Sequence, residues 1–166
     1  MASQIPPISC ARDIMTARLV TLNAEMDVFH GIKVLVKNNI SGAPVIDQHG
    51  KLLGVFSEKS CMRVLVDAAY DGLPTNQIGK FMDTDPVTIS PDTQLLSIAQ
   101  IFLTTPRRRL PVIENDRLVG QVSRRDVIRA ASKVMSAPNG KSDHHKILLY
   151  LSALGSMDEV PAASSE

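Results

Sequence analysis

Cysteine is scarce in this chain. Cys10 and Cys61 are the only two among 166 residues, and they form no C-x-x-C pair. That is too few for a disulfide framework and fits two thiols in a reducing compartment. Long apolar runs are missing as well. The most apolar stretch, Ile147 to Leu154, is far short of the ~20 residues that a bilayer span requires. Residues 1–10 carry neither a basic n-region nor an apolar h-region, so no secretory signal is expected. Nor does charge of one sign dominate: 18 Lys and Arg against 17 Asp and Glu leave a net charge of +1, which gives no argument for nucleic acid or membrane. G-x-S-x-G, P-loop and G-x-G-x-x-G patterns are absent, and His30 and His49 have no partner at metal-ligand spacing. These absences lead to the expectation of a cytoplasmic protein that is not an enzyme and uses no metal and no obligatory cofactor.

What is present is ordinary in composition and doubled in order. Hydrophobic residues make up 44% and charged residues 21%, the balance of a globular domain. Met15-Thr16, Val20-Thr21-Leu22, Pro44-Val45-Ile46-Asp47 and Gly54-Val55-Phe56-Ser57 return in the same order. Their counterparts are Met82 and Thr84, Val87-Thr88-Ile89, Pro111-Val112-Ile113-Glu114 and Gly120-Gln121-Val122-Ser123. Most pairs share an offset of 67 (82 − 15, 87 − 20, 111 − 44); the last block is offset by 66 (120 − 54), so one residue is dropped in the turn between Ile113 and Gly120. A unit of about 60 residues is marginal alone, which favours two copies sharing one core.

Within each copy the pattern predicts β-α-β-β-α. A short β-rich run, Leu19-Val20-Thr21-Leu22 or Pro86-Val87-Thr88-Ile89, leads to helix-start signals at Asn23 and at Ser90-Pro91-Asp92. Val28, Ile32, Leu35 and Val36 fall on one helical face, as do Leu95, Ile98, Phe102 and Leu103, and both sets read as core. Two strands around a turn follow in each copy, across Gln48-His49-Gly50 and across Asn115-Asp116. A second helix closes each copy, with Ser57 and Ser123 at its N-cap. The expected boundaries are 8–70 for the first repeat, 71–80 for a linker and 81–134 for the second repeat. Residues 135–166 then form a loop, a short helix over Ile147–Leu154 and a flexible tail.

The sharpest local feature is Gly120-Gln121-Val122-Ser123-Arg124-Arg125-Asp126, a strand ending on a serine with an aspartate three residues on. One reading is a capping-box variant, in which Ser123 caps and the Asp126 carboxylate answers the backbone. The other uses the same geometry for a ligand: a helix N-terminus suits phosphate, and a first-turn carboxylate can accept from a ribose diol. The two are compatible. Arg107, Arg108 and Arg109 lie just before Leu110-Pro111, at the start of the preceding strand, and with Arg124 and Arg125 they bring five guanidinium groups to this part of the chain. Guanidinium forks fit phosphate oxygens, and the alternative for such a run is a solvated loop.

The doubled β-α-β-β-α unit, the x-Pro-Val-Ile strand and the G-h-h-[ST]-x-x-D ending together resemble a tandem pair of cystathionine-β-synthase (CBS) domains, a Bateman module. The resemblance covers roughly residues 8–134. It implies an α/β fold of two repeats about a pseudo-twofold axis, clefts between the repeats that bind adenosine compounds (AMP, ADP, ATP or S-adenosylmethionine), and homodimers of pairs. With no catalytic domain beside the pair, the expectation is regulation of an unidentified protein partner in trans, and from the balanced charge neither a membrane nor a nucleic acid is expected as a partner; the alternative is a ligand-free dimerisation or interaction module. Carried over by position, Asp126 would hold the ribose and Ser123 the sugar or phosphate. Gln121 and Val122 would line the base pocket, together with Met82, Asp83 and Thr84. Arg107, Arg108 and Arg109 fall where the family's strand enters the cleft and its backbone touches the base; as arginines here, they would with Arg124 and Arg125 meet the phosphates. The first repeat departs from the pattern. Ser60 stands where the family has aspartate and lacks a second acceptor oxygen and a charge. Glu58 stands where the second repeat has an arginine, and Ser41, Gly42 and Ala43 bring no base. The expectation is one nucleotide site per chain, with a weak or vestigial second around Ser57, Ser60, Met15, Thr16, Gly42 and Ala43.

Overall fold

The computed structural model describes residues 10–70, 72 and 76–135. The expected C-terminal loop, short helix and tail, and much of the expected linker, lie outside the described residues. Helices α1 (Ala11–Ile14) and α2 (Val28–Lys37) are followed by strands β1 (Gly42–Ile46) and β2 (Leu52–Ser57), then by α3 (Glu58–Tyr70) and α4 (Leu95–Thr104), strands β3 (Arg109–Glu114) and β4 (Arg117–Ser123), and α5 (Arg124–Met135). β1 pairs with β2, and β3 pairs with β4, giving two small two-stranded sheets. Among the described residues, none of the helices is long and apolar enough to cross a membrane.

The described residues divide into two compact units, each discontinuous in sequence. One holds residues 10–15, 91–109 and 122–135, and the other holds 16–90 and 110–121. In the second unit α2, β1, β2 and α3 enclose a core of Leu22, Val28, Leu35, Ala43, Val45, Phe56, Cys61 and Val64, completed by Ile78 and Phe81. In the first unit α4 packs on α5, and Leu95, Ile98, Phe102 and Ala130 are buried there.

The helix-period reading holds at Val28, Leu35, Leu95, Ile98 and Phe102 but fails at Val36 and Leu103, which are 76% and 85% exposed. At 3.6 residues per turn the eighth residue along lies about 80° from the stripe's first member, beyond the buried face. Gly31 takes the inward place instead: a Cβ there would meet Ile78 and Phe56 side chains. The helix starts also differ from expectation. Asn23 makes a turn, its Oδ1 accepting from the Glu25 N–H, and α2 is capped by Asp27, whose carboxylate accepts from Phe29 and His30 N–H. α4 begins after Gln94, four residues beyond Ser90, with no side-chain cap.

The opening β-rich runs are single parallel bridges, not strands: Leu22 with Val45, and Ile89 with Val112. The Leu22 N–H donates to the Pro44 carbonyl and its own carbonyl accepts from Ile46 N–H; Ile89 does the same with Pro111 and Ile113. To lengthen either bridge toward its N-terminal side, the next carbonyl would need an N–H from residue 44 or 111. Both are prolines, which have none. The two hairpins differ in their turns, which accounts for the dropped residue. β1 and β2 are joined through Asp47, which accepts from His49 and Lys51 N–H, with a register shift at Val45/Ile46. β3 and β4 are joined by Asn115 and Asp116, both at positive φ (49° and 63°), the tight two-residue turn that these residue types tolerate.

The opening of each repeat docks on the other repeat. Ala11 and Arg12 N–H donate to the Thr93 and Pro91 carbonyls, and Ile78 and Gly79 N–H donate to the Met26 and Ala24 carbonyls. Four residues further on, Thr16 exchanges two backbone hydrogen bonds with Gln121 (2.9 and 3.0 Å), and Asp83 exchanges two with Val55 (both 2.9 Å). The final residues of the expected linker, Ile78–Lys80, are thus a 3-10 turn whose Ile78 is fully buried in the first repeat's core. Burial pushes the Cys61 thiol up and the Glu58 carboxylate adds to the shift, against a backbone hydrogen bond that lowers it, and the side chain packs as part of the core.

Two glycines test this packing against each other. A Cβ on Gly54 would sit 2.5 Å from the Asp83 backbone oxygen, whereas a Cβ on Gly31 would sit 2.6 Å from the Ile78 Cδ1, the movable end of a side chain. Gly54→Ala should therefore lower stability by about 1–3 kcal/mol, and Gly31→Ala by less, read from urea midpoints. A larger loss for Gly31→Ala would contradict the placement of Asp83 on β2.

Candidate functional site

The functional candidates gather where β2 meets α3 and where β4 meets α5. At the second junction Ser123 is the last residue of β4 and Arg124 the first of α5. The Asp126 Oδ2 accepts from the Ser123 N–H at 2.8 Å and from its hydroxyl at 2.6 Å, and the Asp126 N–H donates back to Ser123 Oγ at 3.3 Å. This is a reciprocal capping box, so the capping reading of the spacing is realised. The same bonds place a carboxylate in the first turn of α5, beside N–H groups that the helix leaves unpaired. The other oxygen, Oδ1, accepts from Arg129 Nη1 at 3.1 Å, a residue that the sequence reading passes over. Its signal is visible afterwards as an i,i+3 acid–base pair on one helix face.

At the first junction the same bonds are drawn with a hydroxyl in place of the carboxylate. Ser60 Oγ accepts from the Ser57 N–H at 3.2 Å and lies 3.4 Å from Ser57 Oγ, while the Ser60 N–H reaches Ser57 Oγ at 3.4 Å. Every contact is longer than its counterpart at Ser123, as expected when no charge shortens the hydrogen bond. Ser60 is buried and so are Gly42 and Ala43 of β1, whereas Glu58 and Lys59 are exposed. The first junction thus offers a cap without a negative charge.

Backbone pairing groups the remaining candidates differently from the sequence expectation, which places Met82, Asp83 and Thr84 with Gln121 and Val122. Asp83 is bonded to Val55 of β2, and Met82 lies against Gly54. Thr16 is the residue bonded to Gln121 of β4. This pairing has a physical cause: each repeat's opening pairs with the strand edge of the other repeat, and sequence proximity does not reveal that exchange. Thr84 and Thr16 are exposed, and Met15 is half-buried. Gln121 is 9% exposed, and its side-chain amide makes no hydrogen bond to another described residue, leaving donor and acceptor capacity open in a buried place. Val122 is fully buried.

The five arginines do not act as one set. The Arg124 Nη2 donates to the Phe102 and Thr105 carbonyls at 3.3 and 3.5 Å, and its guanidinium sits 5.9 Å from the centroid of the Phe102 ring. It is engaged with the C-terminal end of α4, where a cation meets the carbonyls that the helix leaves open. Arg125 and Arg108 are exposed, Arg107 and Arg109 are half-buried, and Arg109 opens β3. Among the described residues no cluster of His, Cys, Asp and Glu could hold a metal ion.

The family described as CBS domain matches residues 11–67 and again residues 78–133, together well over half of the chain. The A-adding tRNA nucleotidyltransferase of Geobacter sulfurreducens is 28% identical over 125 residues, which is 75% of this chain and 14% of that protein. The CBS domain-containing protein CBSX1, chloroplastic, of Arabidopsis thaliana is 31% identical over 133 residues, 64% of this chain and 56% of its own length. The chain thus spans less than two thirds of either relative. Among solved structures, CBSX2 of Arabidopsis thaliana in complex with AMP superposes with a TM-score of 0.68 at 28% identity, covering 76% of this chain and 98% of that one. The CBS domain pair of protein MJ0100, in complex with 5-methylthioadenosine and S-adenosyl-L-methionine, superposes with a TM-score of 0.66 at 25% identity, covering 77% and 99%. The repeated motif, the two hairpin–helix units and these matches agree: the chain belongs to the CBS-domain family, as a tandem pair of CBS domains.

Proposed function

We propose that this chain is a regulatory module that binds an adenine nucleotide and passes the change on to a separate protein. The observation that carries the reading is the Asp126 carboxylate, held by two Ser123 groups in the first turn of α5, where Ser60 stands on α3. A charged carboxylate accepts the two hydroxyls of a ribose; a serine hydroxyl cannot do so with charge. AMP on CBSX2 and the adenosine compounds on MJ0100 support the ligand class. In this reading Asp126 and Ser123 hold the sugar. Arg125 and the Arg107–Arg109 run neutralise phosphates, while Arg124 reaches them only by leaving the α4 carbonyls. Ligand can shift the protein between states only by its differential affinity for them, and a partner reads that shift.

The module is proposed to work as a homodimer. On α3 the side chains of Met62, Leu65, Val66 and Tyr70 recur at i, i+3, i+4 and i+8 and are all exposed, one apolar stripe left to solvent. Such a stripe on a folded helix marks an interaction surface, and self-pairing of CBS pairs supplies the occupant.

Calorimetric titration with AMP, ADP, ATP and S-adenosylmethionine tests the ligand. Asp126→Ala should weaken binding by about 10- to 100-fold, the worth of one or two hydrogen bonds to a charged group, while Ser60→Ala leaves it unchanged. Equal losses from both would overturn the single-site reading. Flat titrations of folded, nucleotide-free protein would leave the ligand-free interaction module as the function. Sedimentation should show a dimer that Leu65→Glu converts to monomer; an unchanged mass would remove α3 from the interface.

A further inference from the structure

The Asp126 carboxylate is already nearly full. A carboxylate offers four lone-pair positions, two on each oxygen. On Oδ2 both are taken, by the Ser123 N–H at 2.8 Å and the Ser123 hydroxyl at 2.6 Å. On Oδ1 one is taken by Arg129 Nη1 at 3.1 Å. One position remains, and a ribose diol brings two donors. With the capping box intact, the second hydroxyl can bond this carboxylate only where Arg129 now sits.

The first repeat supplies an internal control. Counting by the offset of 66, Arg63 is the counterpart of Arg129, Ser60 of Asp126 and Asp67 of Lys133 (129 − 63, 126 − 60, 133 − 67). Arg63 pairs forward along its helix with Asp67, Nε to Oδ2 at 3.9 Å. In α5 that forward position is Lys133, which repels a guanidinium, so Arg129 turns back one turn to Asp126. The arginine is thus directed onto the carboxylate by two differences between the repeats, an acid at 126 and a base at 133. Arg129 is 59% exposed and Asp126 13% exposed, so the guanidinium can swing into water while the carboxylate stays in place.

We infer that Arg129 is a latch on the nucleoside site: it occupies the Asp126 oxygen that the ribose must take, and the ligand binds by displacing it. The inference rests on the nucleotide reading above. Arg129 is a positioning residue whose ion pair sets a penalty on binding, and it does not touch the phosphate. Because the guanidinium end of the pair is exposed, that penalty is small and falls with salt.

Titrating the full chain with adenosine and with AMP tests the latch, using Arg129→Gln, Lys133→Asp and Asp126→Ala. Arg129→Gln should bind both ligands about two- to five-fold more tightly than the wild type, by the same factor for each, since the ribose is common to both. Lys133→Asp keeps the arginine but recreates the Arg63–Asp67 arrangement, and should tighten adenosine in the same direction. Raising the salt concentration should narrow the difference between wild type and both variants for adenosine. Unchanged or weaker adenosine binding by Arg129→Gln, with Asp126→Ala still inactive, overturns the latch alone. A loss confined to AMP makes Arg129 a phosphate ligand and also overturns it. Undiminished binding by Asp126→Ala, or no binding by any of the proteins, overturns the nucleotide reading and the latch together.

Discussion

The exchange of opening segments between the repeats is the constraint on which the other features rest. β2 has β1 along one edge, and its other edge presents unpaired N–H and C=O groups that folding cannot leave dry and unbonded. Asp83 meets this need at Val55, and Thr16 meets it for β4 at Gln121, each with a reciprocal pair of backbone bonds. The approach is close enough that Gly54 has room for no side chain. Since Asp83 must reach β2, the chain just before it is drawn into the first repeat. Ile78 and Phe81 then become core, and a segment that reads as linker becomes part of the fold.

Against this repeated frame the two helix starts diverge in charge. Both close with a side chain three residues after a serine, and both satisfy the cap. Ser60 does so with one neutral hydroxyl buried beside Ser57, at 3.2 to 3.4 Å. Asp126 does so with one oxygen of a carboxylate, at 2.6 and 2.8 Å, and has a second oxygen to spend on something else. A single substitution between the repeats thus separates a structural cap from a cap that can also accept a ligand. The surrounding charges follow the same division: Glu58 and Lys59 lead α3, and Arg124 and Arg125 lead α5. Arg124 shows that a charge count is not a site, because its guanidinium is engaged with the Phe102 ring and the carbonyls ending α4.

The parts of the fold legible in the chain are those written locally. Helical spacing marked Val28, Leu35, Leu95, Ile98 and Phe102 as buried, and all are. It failed at Val36 and Leu103, which sit at the margin of the stripe, where neighbours decide burial. Turn chemistry located both hairpins, and Asn115-Asp116 at positive φ accounts for the missing residue. The opening β-runs had the composition of strands, but Pro44 and Pro111 stop their pairing after one bridge, an effect exerted by a residue some 22 positions away (44 − 22, 111 − 89).

Order, doubling and chemical type were determined by the sequence alone: two copies of one unit, a serine–aspartate ending in one and a serine–serine ending in the other. These are properties of residues within a few positions of each other, where capping and periodicity operate. Which opening segment lies beside which strand was decided only by the tertiary structure, through backbone hydrogen bonds between residues far apart in the chain. Asp83 therefore pairs with Val55, with Met82 against Gly54, and Thr16 pairs with Gln121. The direction in which Arg129 turns is, by contrast, local: one turn ahead stands Lys133, which repels it, and one turn back stands the carboxylate of Asp126, which holds it.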